Sequence, residues 1–420
     1  MGNCSHKHAE PEGKELSIGK NMAWNSFGSI TYLACQWLIT ILVVRLSNGY
    51  EAAGALSLAM SVYNIFAPLA LYRMYTYQVS DIKRENTAGE YFSLRIITSL
   101  IALACCMAYA VATCSPQSLA AIFLYAVFKI VALLIDVLHG VDQIHKRMDY
   151  IGKSLILQGA LSLVAFCAIF ASTKSLECAL AAMAVSTVTV GICYDYPRSR
   201  RFERVKLGIS RKKATHLLVY CFPIVIAAVA CGTAPSIPRQ VLALMDGESM
   251  LGIYASVAAP VAIIQMGASY LYNPLLSIIA EHFAKGEKRE LLSLIGKVAL
   301  GIAAIGIVCA IGFEVFGAWL LGLIFGPTIT PYTYLLLPII ASTIISAFVW
   351  FLNDLLVVLR CFKGSFAGNI VAAAIASPAS YFFVATWGMN GVSFTSIAAY
   401  SVGAAIMVAF IASLFRKKSA

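Results

Sequence analysis

Twelve long apolar runs constrain this chain more than any other feature of its sequence. A helix needs about 20 consecutive apolar residues to cross a hydrocarbon layer about 30 Å thick, whereas a transmembrane β-barrel shows short alternating segments. The runs lie near residues 22–44, 52–72, 91–112, 118–138, 154–172, 175–194, 215–233, 251–279, 294–317, 331–352, 365–386 and 391–414. The sequence therefore predicts an all-α integral membrane protein with about 12 transmembrane helices.

Composition excludes a soluble protein and a nucleic-acid-binding protein. Of the 420 residues, 60% are hydrophobic and 12% are charged, which is too few charged residues to cover a soluble protein of this size. The net charge of +11 arises from cations at the ends of the apolar runs, where they set membrane topology. No nucleic-acid partner is therefore expected.

A basic segment, Asp195–Lys213, divides the runs into six and six. It contains eight of the 31 Lys and Arg residues. The pattern predicts two six-helix lobes, residues 21–194 and 214–414, joined by a basic connector at 195–213. Short tails, residues 1–20 and 415–420, complete the chain. Residues 234–245 are expected either to extend the seventh helix or to form a loop.

The distribution of Lys and Arg predicts the orientation. If the N-terminus is cytoplasmic, only Arg45, Lys174 and Arg239 of the 31 cations fall on the outer side. Such a bias predicts a multi-pass protein with both termini in the cytoplasm. The first run, 22–44, is too long for a cleavable signal and is expected to remain as a span.

Ionisable residues inside the runs are the candidate site residues, because burial in lipid is costly and such groups usually mark a pathway. Lys129 and Asp136 lie two helical turns apart on one face of the fourth run. They are expected either to face a central cavity, Lys129 binding an anion and Asp136 pairing with a cation, or to compensate each other structurally. Asp136 is also the candidate carboxylate for ion coupling.

Three arginines and a second aspartate extend this set. Arg73 ends the second run, Arg239 lies in the segment PSIPR after Pro238, and Asp354 and Arg360 end the tenth run. Arginine suits phosphate recognition because its planar fork donates two hydrogen bonds at once. Each arginine is expected either to bind substrate or to anchor its helix at the interface, and the anchor is favoured for Arg360.

No motif for chemistry accompanies these residues. The sequence contains no GxxxxGK[ST] loop, no nucleophile with its base and no spacing of metal ligands. The 12 cysteines form no CxxC pair and are expected to pack as small apolar residues. We expect a transporter and not an enzyme, with no catalytic residue, no metal and no cofactor.

Four segments resemble one family of transporters. Val219–Ile295 is similar to the start of the second lobe in Wzx-type polysaccharide flippases, a family of the MATE/MOP superfamily. Tyr77–Thr98, Phe128–Asp149 and Leu320–Tyr332 resemble the connection between spans two and three, the fourth span with its loop, and the motif between spans nine and ten. The family motifs carry over Lys129, Asp136, Gly140, Gln143, Arg147, Asp149, Pro238 and Arg239.

The resemblance implies a function in surface polysaccharide biosynthesis, such as that of O-antigen in lipopolysaccharide. Wzx-type proteins move undecaprenyl-pyrophosphate-linked oligosaccharides from the cytoplasmic to the outer leaflet of the bacterial cytoplasmic membrane. The expected partners are this lipid-linked substrate, membrane lipids, and a polymerase and glycosyltransferases of the same pathway. Export is expected to be driven by the membrane potential or by coupling to H⁺ or Na⁺.

The expected mechanism is alternating access. The two lobes rock about the connector, and a cationic cavity between them opens inward and then outward. Arg73, Lys129 and Arg239 would hold the pyrophosphate or acidic sugars. The alternatives are a multidrug cation antiporter or a lipid II flippase of the same superfamily, and, from another class, a membrane glycosyltransferase or O-antigen ligase. The last class needs catalytic carboxylates or long outer loops, whereas the outer loops here, such as Thr113–Gln117, are short.

Overall fold

The computed structural model describes residues 16–81 and 84–417, with side chains described up to residue 415. Regular structure in these ranges is helical throughout, and twelve helices are long and apolar enough to cross a membrane. This confirms the predicted fold class. The predicted tails lie largely outside the described residues, which begin at residue 16 and end at residue 417.

The first half of the chain supplies six of the twelve spans. Its helices are α1 (Ile18–Leu46), α2 (Glu51–Leu71), α3 (Met74–Ser80), α4 (Ala88–Thr113), α5 (Leu119–Ile144), α6 (Met148–Thr173), α7 (Leu176–Val190) and α8 (Tyr196–Phe202). A short 3₁₀ turn, Pro116–Ser118, precedes α5. A π-helical turn, Gly191–Asp195, joins α7 and α8 into a single span.

The second half supplies the other six spans. Its helices are α9 (Arg211–Asp246), α10 (Glu248–Tyr272), α11 (Leu275–Lys285), α12 (Lys288–Phe325), α13 (Leu336–Val358), α14 (Phe362–Trp387) and α15 (Met389–Lys417), with a 3₁₀ segment at Pro327–Leu335. Residues 234–245 extend the seventh span and do not form a loop. The eighth span ends at Tyr272, earlier than the predicted 279, because Pro274 lacks the N–H that would continue the helix.

Each half packs mainly on itself and forms a lobe. In the first lobe α1 lies along α6, while α5 contacts α2, α4 and α7; in the second, α14 lies along α15 and α9, and α13 contacts α10, α12 and α15. The α1–α6 contact depends on glycine, since a Cβ on Gly28 would lie 2.4 Å from the Gly152 carbonyl oxygen. Between the lobes, α2 lies against α9 and α10.

The predicted connector is fixed to the first lobe. Its first part is helix α8, and its remainder, residues 203–210, is an extended strap across the start of α4. Glu203 Oε1 accepts the Ala88 N–H at 2.7 Å, and the Gly208 N–H donates to Ser93 Oγ at 2.8 Å. A Cβ on Gly89 would lie 1.9 Å from the Lys206 carbonyl oxygen. The strap therefore belongs to the surface of the first lobe and is not a free hinge.

Helix α9 takes part in both lobes. Leu217, Cys221 and Val225, in its first half, are buried in a cluster with first-lobe residues of α2, α3, α4 and α5. Ala234, in its second half, is buried in a cluster formed by second-lobe helices. The helix also contains Pro223, Pro235 and Pro238, each of which removes a backbone hydrogen bond.

Candidate substrate cavity

A cavity of about 390 Å³ lies between the two lobes. It opens toward the side on which α1 begins and the strap lies, hereafter the connector side; the other is the far side. Its walls come from the ends of α2 and α3, from α5 and from the first half of α9. The lining residues are Pro68, Leu71, Arg73, Tyr75, Thr76, Asp136, Ile224, Val225 and Ala228. Two predicted site residues, Arg73 and Asp136, thus face one cavity.

Arg73 reaches the cavity because the chain breaks between α2 and α3. Tyr72 and Arg73 have φ angles of 43° and 56°, a left-handed conformation that is uncommon outside glycine. The Arg73 side chain is exposed, and its charge acts on the carboxylate of Asp354 in the second lobe. Asp354 also accepts a hydrogen bond from the Tyr272 hydroxyl at 2.9 Å. The charge of Arg73 thus acts across the lobe interface, although the two side chains form no direct ion pair among the described residues.

Asp136 is paired with a residue that the sequence analysis did not select. Arg95 Nη2 lies 3.3 Å from Asp136 Oδ2, with the two side chains 0% and 29% exposed, respectively. Arg95 Nη1 also donates to the carbonyls of Ala70 and Leu71, at 3.1 Å and 2.6 Å, where α2 ends. Asp136 therefore lines the cavity on one side, and Arg95 balances its charge from the protein interior. The sequence signal that could have identified Arg95 is its position one helical turn inside an apolar run.

Lys129 points into aromatic rings and does not line the cavity. Its amino group lies 5.1 to 5.9 Å from the ring centres of Tyr32, Tyr125 and Phe128, within cation–π range. Among the described residues it makes no ion pair, so the structural alternative in which Lys129 and Asp136 compensate each other is wrong. Lys129 is thus enclosed by aromatic rings inside the first lobe.

Arg239 occupies a comparable position in the second lobe. It is partly buried near the far end of α9, where its charge acts on the hydroxyls of Tyr254 and Tyr400. No carboxylate among residues 16–81 and 84–415 is paired with it. The neighbouring Pro238 is buried and denies the Ala234 carbonyl its helical partner. Like Lys129, Arg239 lies outside the wall of the cavity.

Arg360 is the candidate whose position least suits substrate binding. It is exposed in the short turn between α13 and α14, with φ 54°, and does not line the cavity. An exposed arginine at a helix end fits the interfacial anchor, the alternative that the sequence favoured. Its position gives no support to substrate binding.

The remaining motif residues hold the connector-side end of the first lobe together. Gly140 allows α3 to pack closely against α5, because a Cβ at Gly140 would lie 2.6 Å from the Gln78 amide. Gln143 accepts a hydrogen bond from the Tyr75 hydroxyl. Arg147 Nε and Nη2 donate to the two oxygens of Asp149 at 2.9 Å and 3.1 Å. These hydrogen bonds raise the pKa of the Arg147 guanidinium. None of these motif residues lines the cavity.

On the far side, direct hydrogen bonds close the gap between the lobes. Tyr109 Oη donates to Gln240 Oε1 at 2.7 Å, and Ser118 Oγ donates to Glu248 Oε1. Arg45 donates to the carbonyls of Leu323 and Ile324, the last residues of α12. The lobes are thus sealed on the far side, while the cavity lies toward the connector side.

Comparison with known proteins identifies this architecture. An inward-facing multidrug resistance MATE family transporter of the MOP superfamily superposes with a TM-score of 0.70, at 14% identity over 93% of this chain and 99% of that one. The lipid II flippase MurJ, in an inward closed conformation, gives 0.70 at 9% identity, over 91% and 86% of the two chains. The chain has the MATE/MOP transporter fold. An outward-facing MATE transporter of the MOP superfamily gives a TM-score of 0.58 at 14% identity, over 95% and 96% of the two chains.

Sequence comparison gives one further likeness. The chain is 23% identical over 311 residues, 73% of its length, to the capsular polysaccharide biosynthesis protein CapF of Staphylococcus aureus, of which 77% is covered. No family model matches the chain.

Proposed function

We propose that the protein is a flippase for undecaprenyl-pyrophosphate-linked oligosaccharide repeat units. It would move them from the cytoplasmic to the outer leaflet of a bacterial cytoplasmic membrane for surface polysaccharide biosynthesis. The fold shared with transporters that include a lipid II flippase supports this proposal, and so does the likeness to a capsular polysaccharide biosynthesis protein.

The charge balance around the cavity is the observation that carries the proposal. Arg73 and Asp136 line the cavity, whereas Lys129 and Arg239 lie deeper in the two lobes. Among the described residues, Asp136 is the carboxylate that lines the cavity, and it is already paired with Arg95. Arg73, Arg95 and Asp136, two cations and one carboxylate, carry a net charge of +1, which suits a pyrophosphate diester with two negative charges, while the polyprenyl tail stays in lipid.

The same balance disfavours a multidrug cation antiporter. A site for an organic cation needs an acidic group that no resident cation has neutralised. Asp136, the carboxylate that lines the cavity, has Arg95 within 3.3 Å. A lipid II flippase shares the pyrophosphate chemistry, and the substrate assay below separates it.

Transport would proceed by alternating access. The substrate would enter from the connector side, taken as cytoplasmic, and bind at Arg73, with Lys129 and Arg239 acting deeper in the lobes. Outward opening requires the far-side bonds of Arg45, Tyr109 and Ser118 to break. Because the strap is fixed to the first lobe, we assign the bend to α9, between Pro223 and Pro235.

An interior-negative potential would favour this direction of transport. Moving one negative charge outward gains about 2.3 kcal/mol per 100 mV, so a dianion gains roughly 4–5 kcal/mol. The substrate therefore supplies its own driving force, with H⁺ or Na⁺ coupling as an additional source.

The proposal is tested with purified protein in liposomes that contain a fluorescent undecaprenyl-pyrophosphate oligosaccharide. A membrane-impermeant quencher reports how much label has crossed to the outer leaflet. We expect flipping by the wild type, its loss in Arg73→Ala, and its retention in Arg360→Asn, the matched arginine outside the cavity. Competition by lipid II but not by the oligosaccharide, or uptake of ethidium instead, would replace the proposal by one of its two alternatives.

A further inference from the structure

A buried polar cluster lies between α5, α6 and α8, apart from the cavity wall. His139 Nε2 lies 3.3 Å from Asp195 Oδ1, and Ser154 Oγ donates to Asp195 Oδ2 at 2.9 Å. Gln158 Nε2 in turn donates to Ser154 Oγ at 2.9 Å. His139, Asp142 and Asp195 are 5%, 1% and 1% exposed. The π-helical turn at Gly191–Asp195 places Asp195 among these residues.

Asp142 is the member of this cluster whose hydrogen bonding is incomplete. Its Oδ1 takes part in one long hydrogen bond, from Ser199 Oγ at 3.4 Å. Its Oδ2 has no hydrogen-bond partner among the described residues. A carboxylate withdrawn from water without partners is costly, whereas the neutral acid is tolerated. Asp195 already contacts the His139 imidazole and the Ser154 hydroxyl, so Asp142 is the acid of the cluster that lacks a comparable partner.

Among the described residues, the groups that act on Asp142 include no lysine or arginine. His139 faces it from α5, Asp195 and Tyr194 from the end of the sixth span, Asp149 from α6 and Tyr75 from α3. Asp149 is itself paired with Arg147 and Lys153. The Tyr194 hydroxyl is also buried without a partner, and its ring lies under the Arg198 guanidinium at 4.1 Å. Asp142 thus has carboxylates and phenols as neighbours, with one imidazole.

We propose that Asp142 is a proton-binding site of the first lobe. Its Oδ2 takes up one proton to give a neutral carboxylic acid, and releases the proton to leave a carboxylate. The site lies near the end of α5, close to the surface of the connector side, which is the source and destination of the proton. Asp136 is less suited to this task, because it has a cationic partner, Arg95, at 3.3 Å, which favours its charged form.

The position of Asp142 on α5 links the site to the cavity. Asp136, His139 and Asp142 are spaced by three residues, which places them in sequence along one face of the helix. Tyr75 lines the cavity and is bonded to Gln143, next to Asp142. A charge that appears at Asp142 therefore acts on the cavity wall. This link to transport rests on the proposed function, whereas proton binding itself does not.

Infrared difference spectroscopy tests the proton site without a transport assay. The full-length protein in lipid bilayers is compared at acidic and alkaline pH, and the carbonyl stretch of a protonated carboxylic acid is followed. We expect a carboxylic-acid band that disappears on alkalinisation in the wild type and is absent from Asp142→Asn. Asp136→Asn is the matched control and should retain the band, because Asp136 is a separate carboxyl that forms an ion pair with Arg95.

Ser199→Ala provides a second test if Asp142→Asn does not fold. It removes the one hydrogen bond to the Asp142 carboxyl, so the band should shift to higher frequency. A band that is unchanged in both variants, or that is lost in Asp136→Asn, would overturn the proposal. A normal Asp142 band in a protein that moves no lipid-linked oligosaccharide would overturn only the proposed flippase function.

Discussion

Replacing Asp136 with Asn should destabilise the protein, because Arg95 would keep its charge at a fully buried position. Arg95 is 0% exposed, and Asp136 is the acidic partner that it contacts. Its other hydrogen bonds go to two neutral carbonyls at the end of α2, which cannot balance a full charge. The substitution changes one oxygen to an amide and leaves the shape of the side chain almost the same.

The expected loss is about 3 kcal/mol in the free energy of unfolding. Removing one partner of a buried ion pair costs about 3–5 kcal/mol. The lower end applies, since Asp136 is 29% exposed and water from the cavity can replace part of the lost interaction. A loss of about 3 kcal/mol changes the unfolding equilibrium roughly a hundredfold.

Equilibrium denaturation of the purified protein in mixed micelles measures this loss. Arg95→Met should cost less, about 1–2 kcal/mol, because the Asp136 carboxylate left behind reaches water in the cavity. The double variant should cost less than the sum of the two single variants, since neither charge is then left alone. Glu281→Gln, on exposed α11, is the control and should change nothing. Strict additivity, or an Asp136→Asn variant as stable as the wild type, would refute the ion-pair account.

Three further predictions concern the cations Lys129 and Arg239, the strap, and the closed far side. Lys129→Ala and Arg239→Ala should abolish transport while their abundance in the membrane is unchanged; normal transport by both would remove them from the substrate path. Gly89→Ala should cost about 1–3 kcal/mol and make the strap sensitive to protease, because its Cβ would lie 1.9 Å from the Lys206 carbonyl. Gly296→Ala, with nothing within 4 Å of its Cβ, is the matched control and should be neutral or stabilising. A disulfide between Ser118→Cys and Glu248→Cys, in a Cys114→Ser background, should stop transport until it is reduced; transport by the oxidised protein would contradict far-side closure as a gate.

Sequence patterning predicts the spans well because the length of an apolar run and the thickness of a bilayer impose the same constraint. The number of spans is of this kind. The sequence left open whether residues 234–245 extend the seventh helix, and the structure shows that they do. Helix ends are less predictable, since they depend on local breaks such as Pro274 or on the left-handed residues Tyr72 and Arg73.

Pairing across helices was the part that sequence could not supply. Arg95 has the same position in its run as an ordinary topology-setting cation, and only the packing of α4 against α5 brings it to Asp136. Likewise, Asp195 is at the start of a basic segment and looks solvated in sequence. The π-helical turn places it instead against His139 and Ser154, where it is 1% exposed.

Leaflet sidedness of the lipid-linked oligosaccharide in cells tests the central claim most directly. The measurement compares a deletion strain with the same strain carrying the intact gene, an Arg73→Ala gene or an Arg360→Asn gene. The account predicts build-up on the cytoplasmic face after deletion, relieved by the intact and Arg360→Asn genes but not by Arg73→Ala. Normal sidedness after deletion, in a strain without other flippases, would contradict it.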